Sequence, residues 1–432
     1  MRRTMAAGLL ALGLAATAAS AQSRKPRSQP APPAQKVVPP DTVYWMTAVT
    51  QSGFGLAGTP DTRQLMRLAS GRGGGVVRTL ALDLGSRRLP QGRPEAAHAI
   101  PPAMRMGASL PLVTPKRDRP PPPAGPVSEP EDFERPKGRL LLFWGCGETA
   151  RPGQPVVIDF TKVAEGQIPP NLFVGERVRI ARPPSPDRWP TTGHWPNETR
   201  EGRREIPAGA SLVGAHRVTG TYIPDIAFEL TQDWMAPLDL RQTRLPTGAL
   251  RLDWNAVPGT TGHFAQLVGG SGSGREDLTM VYWSSSEVQT FFSALGDHVA
   301  PAEAARQVAR RTLLPPAQTT CTVPKEAIVA TQGGLVSVVA HGPEVNIIHP
   351  PRPEDPRIPW VQEWAVKVRF AGRAGALAGM DVAAASPSGR PKCQPSAVED
   401  VSAGVGGALG GALGRGIGRA LGRKAQPQDC EP

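Results

Sequence analysis

RLLLFWGCG, Arg139 to Gly147, is an apolar run of strand length that stops at glycine, and PVVIDF (Pro155 to Phe160) and RVRIA (Arg177 to Ala181) follow it. Each run is bounded by Gly or Pro. Short apolar runs separated by turn residues at this spacing are the pattern of an antiparallel sandwich or barrel. Upstream, VYWMTAV (Val43 to Val49) and VVRTLALDL (Val76 to Leu84) read as further strands, the second with period-two alternation. Downstream, LVGAHRVTGTYIPDIAFEL (Leu212 to Leu230) supplies two more, and WAVKVRFAG (Trp364 to Gly372) a closing strand. Between those, LVSVVAHGPEVNIIHP (Leu335 to Pro350) reads as a hairpin turning at Gly342-Pro343.

Composition agrees with β structure joined by irregular connections. The 432 residues include 49 Pro and 48 Gly, so folded parts must alternate with proline-rich spacers. The expected class is mainly β: two antiparallel β-sandwich-like domains with a small helical insertion, Pro-rich linkers and a C-terminal glycine-zipper helix. The order read along the chain is a leader (1–21), a basic Pro-rich linker (22–40), a β-rich domain (41–236), a second β domain (237–385), a linker (386–400), the zipper (401–424) and a tail (425–432). The first domain carries an aperiodic, Pro-rich insertion around 86–137, centred on PKRDRPPPPAGP.

The leader reads as a secretory signal peptide. Arg2 and Arg3 form a positive n-region, Ala6 to Ala18 an uncharged apolar stretch, and Ala19-Ser20-Ala21 a small-residue cleavage site ahead of Gln22. Export would put the four cysteines, Cys146, Cys321, Cys393 and Cys430, in an oxidising compartment. Three pairings fit that count. Cys321 with Cys393 is the pair expected, because both flank the second domain.

LRLDWNAVPGTTGHFAQLVGG, Leu250 to Gly270, joins an alternating strand carrying Trp254 to a Pro258-Gly259 turn and a strand that opens on an aromatic, Phe264. This segment resembles the strand-B, loop and strand-C region of fibronectin type III domains, over about 35 residues, with Phe264 where that family commonly has tyrosine. The resemblance implies that Trp254 is a core tryptophan, and it carries a fold with no functional content. A helical insertion, 284–314, departs from that family. Ser284 and Glu287 have capping-box spacing ahead of Val288, Phe291, Phe292 and Leu295, with Gly296 as the stop, and a second helix starts at Pro301.

Motifs for chemistry are scarce. The chain has no GxSxG, HExxH, GK[ST] or strand-linked GxGxxG element, and its seven histidines show no ligand pair at metal spacing, so neither a cofactor nor a metal is implied. GGSGSG (Gly269 to Gly274) lies between two strands and reads as a hairpin loop. Asp225, Glu229, Asp233 and Asp239 form a loose acidic group, and Trp189 and Trp195 either cap the hydrophobic core or are candidates for contact with a sugar ring or a partner.

The end of the chain is its most regular part. From Val401 to Lys424 the tetrads set Gly406, Gly410, Gly414, Gly418 and Gly422 beside a ridge of branched apolar residues, a surface on which two helix backbones can approach closely. Such segments resemble the glycine zippers of bacterial envelope and surface-antigen proteins. Arg415, Arg419, Arg423 and Lys424 could contact an anionic membrane surface. The uncharged run of 14 residues from Val401 to Gly414 is shorter than the ~20 needed to span a bilayer. With a formal charge of +12 concentrated at the two ends, the expected partners are another copy of the zipper and anionic lipid, and export argues against nucleic acid. The sequence thus points to an exported protein of the periplasm or envelope that acts by binding or assembly. The alternative is a secreted hydrolase of glycan or peptidoglycan.

Overall fold

The computed structural model describes residues 35–53, 75–115, 138–165, 167, 178–200, 202, 204–272, 278–290, 294–331 and 333–379. The leader and the zipper lie outside the described residues. The fold is mainly β, in several sheets.

The largest sheet has nine strands. In spatial order they are β7 (Val156–Asp159), β6 (Arg139–Trp144), β14 (Thr279–Ser284), β13 (Gly262–Ser271), β16 (Gly333–His349), β18 (Trp364–Leu377), β2 (Thr42–Gly53), β3 (Val77–Ser86) and β8 (Thr191–Trp195). Two smaller sheets are β10 (Ile226–Leu230), β9 (Gly214–Gly220), β4 (Ala96–Ala99), β5 (Ser109–Pro111), and β11 (Arg241–Arg244), β12 (Leu250–Asp253), β15 (Thr320–Val323). A two-stranded pair joins β1 (Val37–Val38) to β17 (Trp360–Val361). The α-helices are α1 (Phe160–Ala164), α2 (Pro301–Ala309) and α3 (Lys325–Ala330).

Successive strand side chains point to opposite faces, so alternation decides which face is buried. Tyr44, Met46 and Ala48, then Leu80, Leu82 and Leu84, then Val366, Val368 and Phe370 are all buried on one face of the nine-stranded sheet. They join Val218, Ile226 and Phe228 of the four-stranded sheet and Leu250, Leu252 and Val323 of the three-stranded one in a single hydrophobic cluster. Apolar burial contributes about 25 cal/mol per Å², so one contiguous core binds all three sheets.

Several expectations are corrected by this arrangement. The boundary at 237 does not separate two sets of sheets, because the nine-stranded sheet takes strands from both sides of it: β18 pairs in parallel with β2, and β14 in parallel with β6. The large sheet is therefore mixed, where an antiparallel one was expected. Gly342-Pro343 makes no hairpin turn. It is a register shift inside the single 17-residue strand β16, and Pro343 escapes the ladder there. A side chain at position 342 would collide with Met235 and the Phe370 carbonyl, which is why glycine stands at the shift.

The first helix of the 284–314 insertion is also absent among the described residues. Ser284 ends β14, its hydroxyl bonds Thr290 Oγ1 at 2.8 Å, and Ser285 Oγ accepts from the Ala265 amide at 2.9 Å. These buried serines bond a threonine six residues on and the neighbouring strand β13, and start no helix among the described residues. The second helix is α2, entered at Pro301 as expected. The start of the proline-rich insertion is folded too, since it contains β4 and β5, and Val178 to Ala181 of RVRIA form no strand. Gly269 to Ser271 end β13, which pairs antiparallel with the next strand, β14, with Ser271 opposite Thr279, while Ser273 and Gly274 lie outside the described residues.

The disulfide is Cys146–Cys321, which corrects the expected Cys321–Cys393 pairing; Cys393 lies outside the described residues. Cys146 follows β6 and Cys321 sits in β15, so the bond ties the nine-stranded sheet to the three-stranded one. The Gly147 amide donates to the Thr322 carbonyl at 2.9 Å beside it.

Trp254, just after β12, is 5 % exposed within the shared core, and its ring lies 5.4 Å from that of His263. Trp254→Ala should destabilise the protein by about 3–5 kcal/mol, the usual cost of deleting a large buried aromatic. Urea unfolding measures this, and a midpoint equal to the parent's would contradict the placement.

Candidate functional site

The face of the nine-stranded sheet opposite the shared core is polar across β16, β18, β2, β3 and β8. The register sets Lys367, Trp45, Asp83 and His194 in one row across β18, β2, β3 and β8. The adjoining row runs from Glu344 through Arg369 to Thr47. His194 Nδ1 lies 2.8 Å from Asp83 Oδ1, and Lys367 Nζ donates to Glu344 Oε2 at 2.8 Å. Lys367 and Arg369 flank the half-buried Trp45, at 5.4 and 5.1 Å from its ring centroid, within cation–π range. Arg369 also donates to Thr47 Oγ1 at 2.7 Å and to the Ala181 carbonyl at 3.3 Å.

Residues 295–299, ahead of α2, lie at one end of this face. Phe264 packs there with Leu295, Val299, Ala304 and Leu313. His298, on the same segment, reaches Glu344 Oε1 with its Nε2 at 3.0 Å, leaving Nδ1 buried and without a partner among the described residues. Glu344 thus accepts from two donors. Those bonds outweigh its burial and hold its carboxyl down to about 2. His298 is lowered, because burial outweighs the pull of Glu344. Burial, helped by the positive charges of His298, Arg373 and His263, takes His341 down to about 3, while the Leu295 backbone opposes. His263 is lowered by burial against the Pro315 carbonyl. Among the described residues no group of three His, Cys, Asp or Glu side chains is arranged to hold a metal.

A second polar chain crosses the core side. The Leu212 carbonyl can only accept, so His216 Nε2, 2.7 Å away, carries a proton. His216 Nδ1 then accepts from His98 Nε2 at 2.9 Å, and His98 Nδ1 accepts from the Tyr44 hydroxyl at 2.8 Å. One acceptor fixes both tautomers. Phe228 stacks on His216 with ring centroids 5.0 Å apart. Burial lowers both histidines and raises Tyr44, so the whole chain is neutral at neutral pH. Every ring nitrogen in it is used, which suits a structural network.

The residues singled out by sequence fall elsewhere. Trp195 is 3 % exposed in β8 and belongs to the core, as the core-capping reading has it and against its candidacy as a ligand contact. Trp189 packs against Gly85 beneath the Arg87 guanidinium, 5.4 Å from its ring centroid. Of the acidic group, Asp225 pairs with Arg217, Asp239 with Arg241, and Asp233 accepts from the Leu212 and Trp234 amides. Gly406, Gly410, Gly414, Gly418, Gly422, Arg415, Arg419, Arg423 and Lys424 lie outside the described residues. The polar face itself was missed by sequence reading. Its one signal was the alternation of Lys367, Arg369 and Arg373 in the closing strand, read there only as strand periodicity.

The buried histidines set a pH dependence. His98, His216, His263, His298 and His341 have folded pKa values below the ordinary 6.5, so the unfolded chain binds more protons and stability falls as pH drops below about 6.5. For His341 the window runs from about 6.5 down to about 3 and amounts to roughly 5 kcal/mol. Urea unfolding between pH 6.5 and 5, above the carboxylate range, should show stability declining, and less steeply in His341→Gln. A flat profile there would contradict the neutral burial of these rings.

The chain matches no family model, no curated protein and no solved structure.

Proposed function

We propose that this is an exported cell-envelope protein that acts by binding or assembly, with the C-terminal glycine zipper used for self-association or membrane attachment. The observation that carries the reading is the Cys146–Cys321 disulfide, which joins two sheets through residues 175 apart in sequence and belongs to an oxidising compartment. The leader, with its Arg2-Arg3 n-region and Ala-Ser-Ala site, points the same way. Support for binding comes from the outer face of the large sheet, where an aromatic ring and several charged side chains line one continuous surface. A sandwich-like body, with a fibronectin-like segment at Leu250–Gly270 linking two of its sheets, is part of the proposal.

The alternative, a secreted hydrolase working in the loops near Trp189 to Trp195, needs both rings accessible, and Trp195 lies in the core. Binding is therefore the better supported reading.

The test is on the full chain from its host. Intact mass should correspond to a chain starting at Gln22, and the protein should fractionate with the periplasm or envelope. Replacing Gly410 and Gly414 by Leu should abolish self-association in size exclusion. Replacing Arg415, Arg419 and Arg423 by Gln should spare it and weaken salt-sensitive flotation with anionic vesicles. An uncut Met1 chain in the cytoplasm would overturn the export reading. A chain truncated after Pro395 that behaved as the parent in both assays would overturn the role of the zipper.

A further inference from the structure

Residues two apart on a strand share a face, so β18 sets Lys367, Arg369, Ala371 and Arg373 in line on the polar side of the sheet. Three of the four are cations, and they are not equally compensated. Lys367 is held by Glu344 at 2.8 Å. Among the described residues Arg369 and Arg373 form no ion pair. Arg369 meets only neutral oxygens there, those of Thr47 and Ala181. The Arg373 guanidinium makes no hydrogen bond among the described residues, and its Nε is buried.

A guanidinium taken partly out of water without a carboxylate is costly, and the fold accepts that cost twice on one strand. Nearby acids do not remove it. Glu344 is committed to Lys367 and His298, Asp83 to His194, and Asp297 is exposed and bonded to neither arginine. Burial pushes both guanidiniums below the ordinary arginine value, against the opposing charges of Asp83, Glu344 and Asp297 on Arg369 and of Asp297 on Arg373, none of which forms an ion pair with either. Between them stands Ala371, flanked by His341 on β16 and Val49 on β2, and all three are buried. The two charged stems therefore stand on either side of a covered stretch, with Cα atoms about 13 Å apart at the strand repeat.

We infer that this strip of β18 is a binding site for an anionic ligand, one that carries phosphate or carboxylate groups received by Arg373 and Arg369, with its remainder lying along Trp45. Guanidinium is suited to either group, since its planar fork donates two parallel hydrogen bonds to an oxyanion. Arg369 over Trp45 adds an aromatic surface at the same place. The inference names a ligand class for the binding reading above and rests on it. It is tested apart from export and from the zipper, because the readout is a property of the purified chain.

The experiment is thermal melting of the full chain, titrated in separate arms with inorganic phosphate and with citrate, against sodium chloride at matched ionic strength. A saturable rise in melting temperature of about 2 °C near tenfold excess over the dissociation constant is expected in at least one arm. The arm that responds tells phosphate from carboxylate. Arg373→Met should lose the rise, and its melting temperature without added anion should be no lower than the parent's, since an uncompensated charge has been removed. Arg369→Met repeats the comparison should the first variant fail to fold. Arg217→Gln, on an exposed pair of the four-stranded sheet, should respond as the parent does. Equal rises in chloride and in both test anions, an undiminished rise in the arginine variants, or a lower anion-free melting temperature in Arg373→Met would overturn the assignment.

Discussion

The parallel pairing of β2 with β18 is the constraint on which the rest of the structure depends. It runs the whole 12-residue length of β2, from Thr42 opposite Trp364 to Gly53 opposite Gly375. Parallel neighbours need a connection that crosses over, and here that connection is nearly the entire folded chain. Everything between the two strands must be placed before the centre of the large sheet can close. The topology therefore has a high contact order, with the loop-closure cost and slow folding that follow. The same pairing sets Lys367 opposite Trp45 and Arg369 opposite Thr47, so the closure that completes the fold also assembles the polar face.

Those central strands carry two kinds of polar chemistry on their two faces. On the core side, Tyr44, His98, His216 and the Leu212 carbonyl form a chain in which each donor has one acceptor. A network so closed holds strands in register and leaves nothing to offer a ligand. On the opposite side, the network around Glu344 stops short. Lys367 and His298 Nε2 are satisfied, while His298 Nδ1, Arg369 and Arg373 keep unused capacity among the described residues. Polar groups left incomplete in a folded protein cost stability, and they concentrate where a structure is arranged to meet something else. The difference between these two networks is what supports the outer face as the candidate binding side.

Local structure was legible in the sequence wherever one residue type decided it. Short apolar or alternating runs bounded by turn residues identified β2, β3, β6, β7, β9, β10 and β18, Pro301 marked the start of α2, and the fibronectin-like resemblance implied the burial of Trp254. What stayed hidden was set by distant pairing. Gly342-Pro343 has the composition of a turn, yet β18 pairs with β16 on both sides of it and carries the strand on through a register shift, with β13 alongside up to His341. Ser284 to Glu287 has capping-box spacing, yet its hydroxyls are taken up by Thr290 and Ala265. The partner of Cys321 depended on which strand end lay beside β15, and that strand, β6, leads to Cys146, 175 residues earlier. Trp195, set among prolines and charges, fits a core cap or a surface aromatic equally by local pattern, and its burial is decided by β3, to which its strand pairs opposite Leu82. The candidate site was the least legible part, since its residues come from strands far apart in the chain whose order no local pattern encodes.

The central claim is that chain segments on both sides of residue 237 form one cooperative sheet. Native-state hydrogen exchange under increasing denaturant, read by peptide for β2, β3, β13, β16 and β18, tests it most directly. The account predicts that amides in all five strands open together, with a common free energy and a common dependence on denaturant. Contradiction would come from β13, β16 and β18 opening as a unit of their own while β2 and β3 remained protected, the behaviour of two domains divided near residue 237.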